Sequence, residues 1–176
     1  VAAATAAAQG AGATVVMPPT DIGHGVSSTV VEPGGTTLAL FRSHQDASES
    51  DPPTGLHSIA WTELFSADVP ATLAFFEGAL GLQRKGVPTG EGGTYWMLLH
   101  GERGVAGVTD VTGGAAPHVL SWAVVEDVDA AVERARRAGG VVDTPPFEYP
   151  GYGRMAILRD PAGGRFGLMK PPDQAV

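Results

Sequence analysis

The sequence predicts an α+β protein made of repeated βαβββ modules curled into paired half-barrels, and three observations carry that prediction. Residues Val1 to Arg42 repeat the chain's own stretch Val128 to Lys170 at a nearly constant offset. Two segments, opening near His57 and Val119, each read as a strand that passes through an Asp-capped helix into further extended chain. The two helix starts also resemble each other, Asp68-Val69-Pro70-Ala71 matching Asp127-Val128-Asp129-Ala130.

The repeat is legible residue by residue. Val1, Ala3, Ala4, Ala8, Ala11, Gly12, Val15, Pro18 and Pro19 recur as Val128, Ala130, Ala131, Ala135, Ala138, Gly139, Val142, Pro145 and Pro146. After a one-residue slip, Glu32-Pro33 matches Asp160-Pro161, Gly35 matches Gly163 and Leu40 matches Leu168. Both copies read as helix, strand, loop and hairpin, and the first starts partway through its helix. A tandem protein is therefore expected, whose first domain lacks about 80 residues by comparison with its complete copy. The polar, acidic, Pro-rich stretch His44 to Gly55 reads as a linker.

From Leu56 the pattern becomes strand, helix, strands. His57 to Phe65 alternates loosely, and Asp68 can cap a helix whose apolar positions Val69, Leu73, Phe76 and Leu80 keep helical spacing. Gly81 supplies its stop. Thr94 to His100 and Val105 to Thr109 are extended, joined by a short turn. After Thr112 to Pro117, Val119 to Val125 forms a strand. Asp127 caps a helix carrying Val128, Ala131, Val132, Ala135 and Ala138 on one face, and Gly139-Gly140 ends it. Met155 to Leu158 and Arg165 to Met169 make a hairpin around Asp160-Pro161-Ala162-Gly163-Gly164, residues suited to a tight reversal.

Composition limits the functions open to this chain. A formal charge of −8 and a pI near 4.9 oppose nucleic-acid binding, which needs clustered Lys and Arg. The one basic cluster, Arg134, Arg136 and Arg137, reads as the solvated face of a helix. No run approaches the roughly 20 apolar residues of a membrane span, and the Ala-rich start lacks the basic flank of a signal peptide. The absence of cysteine rules out thiol chemistry and disulfides and fits a cytoplasmic setting. No Gly-x-Ser-x-Gly elbow appears, and Gly90 to Gly93 lacks the Lys of a phosphate loop.

Four stretches carry a family resemblance: Trp61-Thr62-Glu63-Leu64 followed by Asp68, the helix end Phe75 to Gly81, Glu126 to Ala131, and the closing Asp160 to Met169. Together they resemble the vicinal oxygen chelate superfamily, which includes glyoxalase I, bleomycin-resistance proteins and extradiol dioxygenases, and most of all its tandem, two-domain actinobacterial group. The resemblance implies a partial first domain over 1–43, a linker over 44–55 and a complete domain over 56–172, with modules 56–112 and 117–171. It also implies where a divalent ion would be held in metal-dependent members: on the first strand and near the last strand of each module. Here those positions fall on Trp61 and Leu120, near Gly107, and at Gly167, with Ala39 as the counterpart of Gly167 in the first copy. None carries a donor side chain, so no metal or other cofactor is expected. A displaced site built from His57, His118 and Glu63 is the alternative, although strand-end histidines are more often surface polar groups.

The expected binding residues are Trp61, Glu63, Trp96, Trp122, Phe147 and Tyr152. Residues two apart on a strand share a face, so Trp61, Glu63 and Phe65 point to one side, and Trp122 joins Leu120. Tyr95 or Trp96 adds a ring, depending on register. The segment Phe147 to Tyr152 is expected to close over a cavity mouth, with Gly151 and Gly153 as flexible points. Aromatic walls suit a flat apolar ligand. A carboxylate among them, Glu63, is suited to general acid or base work or to pairing a cationic ligand; the alternative is an ion pair with an Arg such as Arg154. The function expected is metal-independent binding of a small apolar or aromatic molecule, with a lyase, isomerase or tailoring enzyme using Glu63 or a displaced metal as the rival. The expected partners are that small molecule and, for assembly, a second copy or the tandem domain, with no nucleic acid and no membrane.

Overall fold

The computed structural model describes residues 1–45, 55–89 and 92–172. Helix α1 (Ala2–Gly10) leads into β1 (Thr14–Asp21), β2 (Gly25–Val31) and β3 (Thr37–Ser43). Then β4 (Ile59–Ser66) precedes α2 (Val69–Leu80), followed by β5 (Gln83–Pro88), β6 (Thr94–His100) and β7 (Arg103–Asp110). The order recurs as β8 (His118–Val124), α3 (Val128–Arg137), β9 (Val141–Tyr149), β10 (Gly153–Arg159) and β11 (Arg165–Lys170). The protein is α+β and built of βαβββ modules, as the sequence predicts.

Short-range chemistry sets the helix ends. The Asp68 carboxylate accepts the Ala71 N–H at 3.0 Å, and the Asp127 carboxylate accepts the Ala130 N–H at 2.9 Å. Each satisfies an N–H that a helix start otherwise leaves without an internal partner. Gly81 closes α2 in the left-handed conformation, at φ 67°.

The chain divides into two compact units, the first made of Val1–Asp51 and Glu63–Val119, the second of Pro52–Thr62 and Leu120–Val176. In the first unit β1, β2 and β3 form a sheet in that order, and β5, β6, β7 and β4 lie side by side. Its core joins Ala8, Ala13 and Val30 to Leu64, Leu73, Phe75, Phe76, Leu98 and Val108, so α1 and α2 share one apolar interior. In the second unit β8 pairs in parallel with β11, which continues through β10 to β9. Val128, Ala131 and Val132 of α3 pack there on Ala156, Leu158 and Leu168.

The two copies of the repeat fold alike down to individual pairings. Thr14–Val31, Val15–Val30, Met17–Thr29, Thr20–Ser27 and Asp21–Val26 in β1 and β2 become Val141–Arg159, Val142–Leu158, Thr144–Ile157, Phe147–Met155 and Glu148–Arg154 in β9 and β10. Both ladders are irregular at the same two places. The next hairpins agree too, Thr29 facing Ala39 as Ile157 faces Gly167.

Several elements differ from the sequence reading. Strand β5 has no apolar alternation in Gln83-Arg84-Lys85-Gly86-Val87-Pro88 and is almost wholly exposed; its place comes from pairing with β6, not from its own pattern. Leu80 is exposed, and Thr72 and Phe75 fill the α2 core positions beside Leu73 and Phe76. His57 lies ahead of β4 with φ 66°. Of the expected linker only His44, Gln45 and Gly55 are among the described residues, and the His44 imidazole meets Asp21 at 3.0 Å. The Phe147 to Tyr152 segment is a hairpin rather than a free lid: Phe147 to Tyr149 belong to β9, and the Tyr152 N–H donates to the Tyr149 carbonyl at 2.9 Å. Gly153 is a constrained hinge, because a Cβ there would stand 2.1 Å from the Lys170 carbonyl oxygen.

Candidate functional site

In the first unit, β4 presents Glu63 and Phe65 on one face; half-buried Trp61, two residues earlier on the same strand, belongs to the second unit. Glu63 is opposite Gly107 of β7, and Gly107 is opposite Met97 of β6, so Met97 and its alternate Tyr95 share the Glu63 face. The Tyr95 hydroxyl donates to Glu63 Oε1 at 2.9 Å. Trp96 goes the other way. It pairs with buried Val108, packs on the core against α2 and has Arg84 over its ring at 5.8 Å. Trp96, expected among the binding residues, thus lies on the core face and Tyr95 on the Glu63 face; strand register, which the sequence does not set, decides between adjacent residues.

His118, at the start of β8, stacks on Phe65 with centroids 4.5 Å apart and planes 3° from parallel. Its Nδ1 is 2.9 Å from the Ala116 carbonyl oxygen. Among the described residues, no three His, Cys, Asp or Glu side chains gather where they could hold an ion.

In the second unit, Trp122 faces Gly167, Gly167 faces Ile157, and Met169 faces Met155, which faces Phe147. Trp122, Ile157, Met155, Met169 and Phe147 therefore share one side of the sheet, away from the α3 core. Phe147 continues into an aromatic run, its ring 6.5 Å from Tyr149, which is 5.5 Å from Tyr152. Tyr149 and Tyr152 are 49% and 56% exposed, so this run offers ring surface to solvent. The sequence reading passed over Tyr149, although its spacing from Phe147 is the alternation that marks a shared face.

The Trp122 indole lies directly over Gly167. A Cβ on Gly167 would come within 2.2 Å of the ring, a distance no side chain tolerates. The position that the family resemblance gives to a metal ligand is thus filled from the neighbouring strand. With Trp61, Leu120 and Gly107 at the other positions, the residues present do not fit a metal of the usual kind.

Asp129 and Glu148 of the second unit are engaged by Arg154. Arg154, weighed as a partner for Glu63, is held by Asp129 and by Glu148, the latter at 3.2 Å. The Arg154 guanidinium keeps the Asp129 carboxyl below the usual range, and the two carboxylates raise the Arg154 pKa in turn. In the first unit Asp21 is also lowered, mainly by the Gly23 N–H at 2.8 Å and then by His44.

The profile of the Glyoxalase/Bleomycin resistance protein/Dioxygenase superfamily matches residues 58–168. The chain belongs to this superfamily. "Putative glyoxylase CFP32" of Mycobacterium tuberculosis is 32% identical over 166 residues, 93% of this chain and 63% of that protein. The anthracycline biosynthesis protein DnrV of Streptomyces peucetius is 36% identical over 168 residues, 91% of this chain and 58% of that one. The chain thus spans about three-fifths of these relatives' length. Among solved structures, 2,2',3-trihydroxybiphenyl 1,2-dioxygenase from Sphingomonas wittichii superposes with a TM-score of 0.63 at 17% identity, covering 96% of this chain and 65% of that one. The Mn(II)-bound glyoxalase from Novosphingobium aromaticivorans gives 0.59 at 16% identity, covering 96% and 57%. At such identities the likeness is one of fold.

Proposed function

We propose that this superfamily member binds a flat, largely apolar small molecule of natural-product type without a metal. The carrying observation is the buried Trp122 indole packed over Gly167, which fills with an aromatic ring the place where a metal ligand would otherwise stand. Phe147, with Tyr149 and Tyr152 beyond it, extends aromatic surface on the same side of the second unit, and Trp61, half-buried on β4, belongs to that unit too. The relative named for anthracycline biosynthesis supports an aromatic ligand class. The repeat, with its matched pairings, supports a tandem organisation in which 1–43 is the closing part of one domain and 56–172 the next. The proposed setting is the cytoplasm, and assembly is by tandem pairing or a second copy.

Two measurements test this reading. Elemental analysis of purified protein should find no stoichiometric divalent metal; one ion per chain overturns metal independence. Planar aromatics should quench tryptophan fluorescence, and Trp122→Leu should weaken their binding about tenfold or more, in line with the loss of one aromatic anchor.

A second reading, an acid–base enzyme, has its own observation in the Tyr95 hydroxyl bound to Glu63. A phenol donating to one carboxylate oxygen orients the other for proton transfer. Under that reading Glu63→Gln retains ligand binding and loses turnover by a factor of about 100 or more. Equal turnover in the variant removes Glu63 from the chemistry.

A further inference from the structure

We propose that the outer edge of β3 is a docking site for one strand, which runs parallel to β3 and carries a small side chain opposite Ala39. This rests on the tandem reading of 1–43 above and does not depend on a ligand. The observations are differences between the two copies of the repeat. Strand β3 ends its sheet, and among the described residues only β2 pairs with it. Its counterpart β11 has a second neighbour, the parallel strand β8, with Trp122, Ala123 and Val124 opposite Gly167, Leu168 and Met169. Burial follows pairing. Gly167 is buried and Met169 is 9% exposed, whereas at the matched places Ala39 is exposed and Phe41 is 52% exposed.

A bare edge offers backbone N–H and C=O groups to an extended segment, and the second copy says which kind of segment covers it. The occupant is the first tandem domain's own counterpart of β8, placed ahead of α1 as β8 stands ahead of α3. A relative has chain to supply such a strand, since the 166 shared residues are 63% of its length. The side chain opposite position 39 is restricted. At Gly167 the Trp122 indole takes the space of a Cβ, which would stand 2.2 Å from the ring. Ala39 carries that Cβ. In the same register, a strand on β3 has room opposite Ala39 for a small residue and not for an indole, so the two edges select different strands.

The test adds blocked peptides to the whole chain and follows its amide resonances. Two peptides have the sequence of Pro117 to Glu126, one unchanged and one with Trp122→Ala. The Ala peptide should slow hydrogen exchange along β3, and the Trp peptide should bind about tenfold more weakly. Ala39→Gly in the chain should close that gap, and a scrambled peptide should leave β3 unchanged. A spin label on the peptide N-terminus should broaden resonances near Gly35 rather than Ser43, as a parallel strand requires. No binding, binding away from β3, or equal affinities of the unaltered chain for the two peptides overturns the proposal and leaves the tandem reading on its matched pairings. An antiparallel peptide overturns both, because the first copy then lacks the polarity of the second. A dimer that Phe41→Lys dissolves makes the occupant a second copy and overturns the proposal as well.

Discussion

The turn at Glu32 and the turn at Asp160 close the same hairpin in the two copies and have opposite fates. Both backbones make the same bonds: the Gly35 N–H donates to the Glu32 carbonyl as that of Gly163 does to Asp160, and Glu32 pairs with Thr36 as Asp160 does with Gly164. Both carboxylates also reach forward to matching N–H groups, those of Gly34 and Thr36 in one copy and of Ala162 and Gly164 in the other. Beyond this the turns diverge. Asp160 is exposed, whereas Glu32 is 1% exposed and also accepts the hydroxyls of Thr36 at 2.7 Å and of Thr72 in α2 at 2.8 Å. The extra methylene of Glu lets both oxygens work, and Ser66 extends the network through Thr72. Gly34, where the exposed copy has Ala162, has no room for a Cβ because Thr72 Oγ1 and Ser66 Oγ stand at 2.0 and 2.1 Å from its place. One local motif is a solvated turn in the second copy and a buried polar clamp in the first.

Substitution at the two carboxylates gives the largest separation. Glu32→Gln turns an amide donor toward buried donors and should cost about 3 kcal/mol or more, against about 1 kcal/mol or less for Asp160→Asn. Urea denaturation of both variants measures the gap, and equal losses would mean that burial does not distinguish the turns. The next contrast sets Gly167 against Ala39. Gly167→Ala should destabilise by about 1–3 kcal/mol through the Trp122 ring, and Ala39→Gly by less than about 1 kcal/mol. Adding Trp122→Leu to Gly167→Ala should recover part of the loss, and strict additivity would mean the ring is not the obstacle.

A smaller contrast lies in charge. Asp143 bridges Arg159 at 2.8 Å and Arg165 at 2.9 Å, where the first copy has Val16, Val31 and Thr37. Asp143→Asn leaves two cations directly opposite on adjacent strands and should cost about 0.5–1 kcal/mol, a loss that shrinks in high salt. The smallest effect is with pH. Asp129 has its folded pKa lowered by Arg154, so its contribution is complete above the ordinary value of 3.8 and disappears as pH falls below it. Asp129→Asn should therefore lose slightly at neutral pH and converge on the parent as pH falls below 3.8; a difference that grows in acid would reverse the sign assigned here.

What could be read in the sequence was what depends on near neighbours. The Asp68 and Asp127 caps, the Gly81 stop and the Asp160 turn are short-range chemistry, and each stands where the spacing puts it. The repeat was readable because two copies constrain each other. What stayed hidden depends on distant partners. Nothing near Glu32 announces Thr72, forty residues on, and nothing in Tyr95-Trp96 says which ring turns toward Glu63. Strand β5 exists because β6 offers it an edge. Among the candidate residues, Glu63 in the first unit and Trp122 and Phe147 in the second were each reachable by alternation along a strand, whereas the stacking of His118 on Phe65 needed the pairing of strands to be known.

The indole over Gly167 also bears on which evolutionary routes lie open to this protein. A histidine or glutamate at 167, the step that would begin to rebuild a metal centre, meets the Trp122 ring before it can offer a donor atom. Trp122 must shrink first, and that change alone removes a buried anchor with no compensating gain. Two unfavourable steps in a fixed order put a donor side chain at 167 out of reach of any single substitution.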